Sequence, residues 1–516
     1  MLRPTALAAR PDLRQLVIGL FTKWLAPKRG QPCPRPASGS QKLADKAVQA
    51  PSVAAWHSCV LSILSFVPLL GAAADASAAI GLPTTETALL GRFTRGPVAL
   101  PVKVGAVEFD ALFSSADHAA WPAEVQGRQF FANGGGSLYV VRIAETGLLA
   151  DALAGSASGL SGIHALEPIS DLRLLIAPEL SLLPAGAFRD TFSRFRAFLE
   201  PRRIFFILDP PPGLVDVSAA VDWVQSFVPA DAQFCAIYYP YLKVVLDGAP
   251  FTVGACGAMA AIYAKSDAAV GIWHSPAGTS LPIQAQALYP VLGTSDSDLL
   301  NASNVNPIRE FPGTGIVPFG ARSLDRSNAD NRFIVAVRTR GWIAASLERS
   351  LAFAAVADNG EPLWSQIRAM VENFLSSLFR QGGLVGRTSE EAYFVRCDAT
   401  TTMPADIAAH HVKVLYGLAL IRPNEFDITS LSAQAYDVAR PVKRPAINVR
   451  AVTGNLVLAY PTVAGFSYAL EVSATLQPGA WTAGGPSMEG DGAWRRPVIP
   501  MTAGHAAYRL RITPGR

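Results

Sequence analysis

Charge is scarce in this sequence. Only 16% of its 516 residues are Asp, Glu, Lys or Arg, against roughly 25% in an average soluble domain. The formal net charge is +4, and no element gathers the Lys and Arg cluster that a nucleic-acid binder of this size would show. Cysteine is sparse as well. Cys33, Cys59, Cys235, Cys256 and Cys397 are scattered, without a CxxC pair or a Cys/His cluster, which argues against a disulfide framework and against a zinc site. Reduced thiols in a cytoplasmic protein fit this usage. Nucleotide chemistry lacks its motif: the Gly-rich turn at Asn133–Gly136 leads into a strand, whereas a P-loop needs Lys and Ser/Thr followed by a helix. No GxSxG elbow is present and the seven histidines fall in no catalytic motif. His410–His411 is the only adjacent pair, and neighbouring strand residues point to opposite faces. Long apolar runs are missing too. Residues 53–79 carry one charge, Asp75, but Trp56, His57, Ser58, Ser62, Ser65 and Pro68 interrupt them, short of the roughly 20 continuous apolar residues of a membrane span. That stretch reads as a buried or interface-seeking arm. Its AAADASA is similar to a signal-peptide cleavage region but lies far from the start.

What the chain does have is apolar content. Half its residues are hydrophobic, and its length allows about two to four domains. Such a chain hides much of its surface, in large cores or between subunits. Leu13, Leu16, Val17, Leu20 and Leu25 suit one amphipathic helix, followed by a Pro-rich linker from Pro27 to Ser40. The stretch 87–109, TALLGRFTRGPVALPVKVGAVEF, reads as short strands, and Leu138–Ile143 as another. From 170 to 300 the pattern alternates. LRLLIAP (172–178), RIFFILD (203–209) and FCAIYY (234–239) are continuous apolar runs, as in strands covered on both faces. Between them, Phe188, Phe192, Phe195 and Leu199 fall at helical spacing, and VSAAVDWVQSF and GACGAMAAIYAKSD also read as helices. Alternation of this kind implies a mostly parallel sheet.

Ligands of such sheets bind at strand C-termini, where Asp209 stands. A catalytic role would need a partner, and the reading preferred for Asp209 is a cap of the rigid Pro210–Gly213 turn. RFIVAVRTR (332–340) reads as a strand. Trp364, Ile367, Met370, Val371, Phe374, Leu375 and Leu378 form a helical stripe, with Pro362 near its start and Gly382–Gly383 past its end. EAYFVRCD (391–398) and VKVLYGLALI (412–421) read as strands. Beyond the linker ARPVKRP (439–445), short strands with Trp481 and Trp494 as core candidates read as a small β-sandwich.

The stretch 301–324, NASNVNPIREFPGTGIVPFGARSL, is dense in Pro and Gly and fixes a path rather than a chemistry. Together with TETALLGRFTRGPVALPVKV, FFANGGGSLYVVRI, AIYYPYLKV, GAMAAIYAKSDAAVGIWHSPAG, RFIVAVRTRGWIAASLERSL, FVRCD and LALIRPNEFDITSL, it resembles contractile tail sheath proteins of phages and contractile injection systems. The resemblance covers residues 78–432 in order. Two departures stand out: no Pro-Gly-Val-Tyr element precedes the first block, and Phe319 stands where the family usually has Trp.

The resemblance implies a mixed α/β multidomain chain. A central subtilisin-like α/β sheet domain would carry a β-rich flanking segment and, past the usual end of the family, the C-terminal β-sandwich module. The expected divisions are an N-terminal extension and arm (1–77), a β-rich segment (78–165), the central α/β domain (166–300), a C-terminal sheath domain with its arm (301–432), a linker (433–445) and the accessory module (446–516). It implies no enzyme, no cofactor, no metal, no small-molecule substrate and no nucleic acid. Its partners would be other copies in hexameric rings, an inner tube protein, and baseplate and terminator proteins, in a particle assembled in the cytoplasm. The arm would include Glu425, Phe426, Asp427 and Ile428 and would add a strand to a neighbour, meeting an N-terminal partner within Leu61–Leu82. Arg309, Arg322 and Arg338 are candidates for inter-subunit or domain-fixing ion pairs, or for binding carbonyls inside one subunit. A membrane-anchored or surface-exposed adhesin and an α/β hydrolase-like enzyme are the alternative readings.

Overall fold

The computed structural model describes residues 79, 81–114 and 121–436, and beyond them the segments 448–452, 455–462, 466–473, 482–483, 487–490, 494–495, 498–500 and 507–514. The expected N-terminal helix, the apolar stretch 53–78 and Trp481 lie outside these residues. Strands follow in the order β1 (Thr87–Gly91), β2 (Val102–Val104), β3 (Leu138–Arg142), β4 (Leu174–Ile176), β5 (Phe205–Leu208), β6 (Asp231–Ala232), β7 (Cys235–Tyr239), β8 (Tyr241–Leu246), β9 (Ala249–Val253), β10 (Ala287–Tyr289), β11 (Asn306–Phe311), β12 (Gly315–Pro318) and β13 (Leu324–Asp325).

Eight of these strands make one sheet, ordered β12-β11-β7-β5-β4-β1-β3-β2. The interior pairs are parallel, and the outermost pair at each edge is antiparallel. Helices α1 (Pro122–Ala132), α2 (Ala185–Leu199), α3 (Val217–Phe227) and α4 (Cys256–Val270) cover its two faces. Alternate strand residues feed opposite cores. Leu89, Leu174, Ile176, Phe205, Ile207 and Tyr238 pack with α1 and α4. Ala88, Leu90, Leu175, Phe206, Leu208 and Ile237 pack with α2 and α3. Period-two alternation between two apolar faces is why these strands read as unbroken hydrophobic runs. The sheet draws strands from residues on both sides of 165 and of 300.

The stretch 301–324 builds one edge of that sheet. β11 and β12 form a hairpin whose turn needs Gly313 and Gly315 at φ +78° and +87°, a region that side chains disfavour. Asn306 ties the hairpin down: its amide donates to Ile237 O (3.1 Å) and Arg322 O (2.8 Å), and its Oδ1 accepts from Arg322 N (2.6 Å).

A third core lies around α5 (Ile334–Ser350), α6 (Glu361–Arg380) and the antiparallel sheet of β14 (Tyr393–Arg396), β15 (His411–Leu418) and β16 (Asp427–Gln434). Here two expectations fail. Residues 332–340 are not a strand: from Ile334 onward they are the first turns of α5. Buried Ile334, Val337, Arg338, Gly341, Ala344 and Leu347 continue at helical spacing through the helix, and that longer period overrides the local β-branched content. Likewise Ala106–Leu112 is a helix rather than strand, closed by the Glu108 carboxylate on Gly105 N (3.0 Å) and buried through Phe109. Past residue 436 the described segments are strands of two small antiparallel sheets, one built on Asn455–Pro461 and one on Phe466–Ser473. Tyr460 of the first stacks on Tyr468 of the second with centroids 5.8 Å apart.

One ion pair joins α5 to α4. Arg338 binds Asp267 in a fork, at 3.0 Å and 2.7 Å, with both residues buried. Its guanidinium lies 4.7 Å from the Tyr263 ring centre, and the Tyr263 hydroxyl meets that of Tyr238 at 2.8 Å. Arg338 also donates to Thr84 O (3.2 Å). Truncating one partner of a buried pair strands the other charge, at a cost of about 3–5 kcal/mol. Urea denaturation of Arg338→Met is therefore expected to show a loss of that order, and Arg338→Met/Asp267→Asn should recover part of it. Equal losses in the single and double variants would contradict the coupling.

Candidate assembly surfaces

The C-terminal end of the parallel strands opens a cleft of about 370 Å³ lined by Trp121, Gln126, Asp209, Tyr241 and Phe251 among others. Asp209 is buried there. It does not cap the Pro210–Gly213 turn as expected; it caps α4. Its Oδ1 accepts from Cys256 N (2.8 Å) and its Oδ2 from Gln126 Nε2 (3.3 Å). Gln126 completes the cap, donating to Gly254 O (2.7 Å) and accepting from Gly257 N (2.8 Å). A Cβ on Gly254 would stand 2.1 Å from the Asp209 carboxyl carbon, so the glycine is what lets the carboxylate reach the helix end. Glu179, also buried, holds two backbone amides, Arg92 N (3.1 Å) and Ala123 N (3.3 Å). No histidine lines the cleft. Among the described residues no three His, Cys, Asp or Glu side chains converge as a metal set. What this sheet end does is anchor helix N-termini.

The expected arginines do three different things. Arg338 makes the buried pair described above. Arg322 donates to a carbonyl, Asn301 O, at 2.7 Å; burial, with Arg332 nearby, lowers its pKa. Arg309 forms no ion pair among the described residues and lies over two rings, 5.1 Å from Phe311 and 5.5 Å from Phe319. Phe319 itself is 43% exposed.

The residues 425–428 lie together at the start of β16. Glu425 pairs with Arg422 (3.0 Å) in solvent. Phe426 meets Phe394 edge to face at 5.3 Å. Asp427 bonds Arg340, which also holds Asn331 Oδ1 (2.6 Å) and Gln233 Oε1 (3.1 Å). Ile428 is 60% exposed. These residues border a groove of about 410 Å³ between β16 and α5. Arg340 was not singled out in the sequence, where it closes the stretch RFIVAVRTR that reads as a strand.

β16 is not a free tail within one chain. It pairs with β15 along its whole length, from Asp427↔Leu418 to Gln434↔His411. The parity of the ladder identifies its open side. Ala435 N donates to His410 O, directly opposite in register. In an antiparallel ladder such bonded pairs alternate with unbonded ones, so Asp427, Thr429, Leu431 and Ala433 point their N–H groups at β15. Those of Ile428, Ser430, Ser432 and Gln434 point outward. Tyr436, of the same parity, donates to Ala357 O, but among the described residues nothing accepts from the four before it. Ile428, Ser430 and Ser432 are exposed as well. This is an open strand edge with a polar outer face.

The buried carboxylates give the fold a pH dependence. Burial pushes Asp209 up to about 6 and Glu179 up to about 7, against the opposing pull of their amide hydrogen bonds. Folded pKa values above the unfolded ones, near 4, mean that each group favours the folded state fully below pH 4 and loses that contribution as pH rises through 6 to 7. The urea midpoint of the chain is expected to fall between pH 5 and pH 8, and Glu179→Gln should flatten the upper part of that fall. A midpoint that stays level over this range would contradict the assignment.

No family model and no curated protein matches the chain. Solved structures do. The sheath of an extracellular contractile injection system, PVC, in its contracted state is 25% identical with a TM-score of 0.56, over 74% of this chain and 99% of that one. The contracted helical sheath of the anti-feeding prophage is 25% identical with a TM-score of 0.55, over 71% and 99%. A chain of the anti-feeding prophage baseplate is 23% identical with a TM-score of 0.55, over 72% and all of that chain. More than a quarter of this chain thus has no counterpart in these structures, while essentially all of each is matched. No helix among the described residues is long and apolar enough to cross a membrane. In fold, and at 25% identity to two of them in sequence, the chain is similar to the contractile sheath proteins of these injection systems.

Proposed function

We propose that this chain is the structural subunit of a contractile sheath. Copies stack as hexameric rings around an inner tube, and contraction drives the tube through a target envelope. The observation that carries this reading is the match over essentially the full length of two contracted sheath chains. The role is mechanical rather than enzymatic, which agrees with Asp209 and Gln126 being spent on capping α4. Baseplate and terminator proteins and the tube are the partners, without nucleic acid or a small-molecule substrate, and the particle is assembled in the cytoplasm.

The eight-stranded sheet, with helices on both faces, is read as the subtilisin-like core. The strands after residue 446 are read as a β-sandwich module appended to the shared fold, supported by the Tyr460–Tyr468 stack between its two sheets. Residues 1–77 serve as the N-terminal extension and arm; the strands of 78–165 and of 301–324 complete the sheet of the central segment 166–300 rather than forming separate domains, and the linker begins only after β16 and its bonded residues Ala435 and Tyr436. Contraction is then a rigid-body change between two packings, with arms as tethers. Strand addition needs an open edge that supplies backbone hydrogen bonds. The outer side of β16 offers one at Ile428, Ser430, Ser432 and Gln434. Glu425, Phe426, Asp427 and Ile428 set where that strand begins, and Arg309, beside exposed Phe319, is left to meet a neighbour.

Electron micrographs of the purified full-length chain are expected to show ring-built tubes of mixed length. A chain that stays monomeric at high concentration with an inner tube added would overturn the reading. Ser430→Pro removes one outward N–H and no bond to β15, a place where a strand tolerates proline. It should leave the unfolding free energy within about 1 kcal/mol of the parent and abolish tubes; tubes of normal length would show that this edge is not used. A 1–438 truncation should still form tubes, and its failure to do so would make the C-terminal module part of the lattice.

A further inference from the structure

The N-terminal end of the parallel sheet holds a cleft of about 700 Å³ that nothing above uses. Arg173 and Arg203 stand just before β4 and β5, and α5 supplies the facing wall through Glu348 and Arg349. Arg202 and Glu167 complete the charged lining. In open parallel sheets ligands bind at the opposite end, so this cleft is no remnant of an active site.

Most of its charge is spoken for, and one cation is not. Arg203 and Glu348 form a fork at 2.7 Å and 2.5 Å. Arg202 sits 4.0 Å over the Phe198 ring, donates to Phe198 O (3.0 Å) and reaches Glu167 only at 3.7 Å. Arg173 is 7% exposed. Its Nη1 donates to Leu172 O (2.6 Å) and Ser170 O (3.4 Å), and among the described residues neither Nε nor Nη2 finds an acceptor. Burial drags its pKa down to about 10; Arg349 and Arg203 add to this, and Asp171 and Glu348 oppose it. A buried guanidinium with unused donors is costly; Nε is sealed inside, and Nη2 is the unbonded donor left to meet a carboxylate with a charge-assisted hydrogen bond.

We propose that this cleft receives a carboxylate side chain of a second copy of the chain, making a lattice contact of the sheath. The inference rests on the sheath reading. A second copy carries suitable groups: Asp222, Asp298, Glu310 and Glu372 are exposed and form no ion pair among the described residues. The chain's own first 52 residues are a poor occupant, since they bear Arg3, Arg10, Arg14, Lys23, Lys28, Arg29, Arg35, Lys42 and Lys46 against Asp12 and Asp45.

The test uses the full-length chain and two variants, Arg202→Glu at the exposed rim and Arg173→Gln at the floor. Sedimentation gives the critical concentration for tube formation, and calorimetry gives the binding of hexaglutamate to unassembled chain. Both variants are expected to raise the critical concentration at least tenfold and to lose hexaglutamate binding, with Arg202→Glu melting as the parent does. Unchanged assembly in Arg202→Glu, or hexaglutamate binding that survives both substitutions, would overturn the proposal. So would displacement of hexaglutamate by equimolar inorganic phosphate, which would make this a small-anion site. Normal self-assembly with loss of baseplate attachment alone would overturn the second copy as occupant. If the parent forms no tubes, the sheath reading itself fails, while hexaglutamate binding still reports on the cleft.

Discussion

The Arg338–Asp267 pair is the most deeply buried of the ion pairs that join the two halves of the described body. Asp267 lies on α4, which covers one face of the parallel sheet. Arg338 lies on α5, whose far end enters the core beneath β14, β15 and β16. The same helix also holds the chain where it enters the body. Arg338, Trp342 and Ser346, four residues apart on one face, bond Thr84 O, Leu82 O and Leu82 N. Gly81 makes this possible, because a Cβ there would stand 2.8 Å from the Trp342 ring. α5 thus fixes the entry of the chain and the edge strand β16 against one sheet. Under the proposed function, in which the two ends are tethers, a stiff element of this kind is what would carry force between them.

The sequence was most legible where both faces of an element are buried. The apolar runs at 172–178, 203–209 and 234–239 are strands, and the helical stripes of α2, α3, α4 and α6 lie where spacing put them. It was least legible at 332–340, where Ile, Val and Phe favour a strand locally, while the stripe that decides the matter runs seventeen residues, from Ile334 to Ser350. The hairpin of β8 and β9 follows directly on a buried strand and leaves no separate mark in the pattern. Asp209 shows the limit of reading a site from one residue. Its neighbours Pro210–Gly213 suggested a local turn, but its ligand is the amide of Cys256, 47 positions on, and only the fold brings the two together.

The functional surfaces were legible as motifs and not as geometry. The stretch 301–324 proves to be a hairpin on the sheet edge, pinned by Asn306, so its prolines and glycines serve shape as their density suggested. The three expected arginines, two of them in this stretch and Arg338 in α5, by contrast part company: one is buried in an ion pair, one is spent on a carbonyl and one lies over two rings. The EFDITSL segment carries strand alternation in the sequence, yet alternation cannot say which chain supplies the partner. Within one chain the partner is β15, and the question of assembly moves to the other side of β16.

Amide hydrogen exchange on that strand, compared between the unassembled chain and its polymers, tests the central claim most directly. The outward amides of Ile428, Ser430, Ser432 and Gln434 should exchange fast in the single chain and become strongly protected in the polymer. Those of Thr429 and Leu431, already bonded to β15, should be protected in both. Polymers in which the outward amides still exchange fast would contradict assembly by strand addition at this edge.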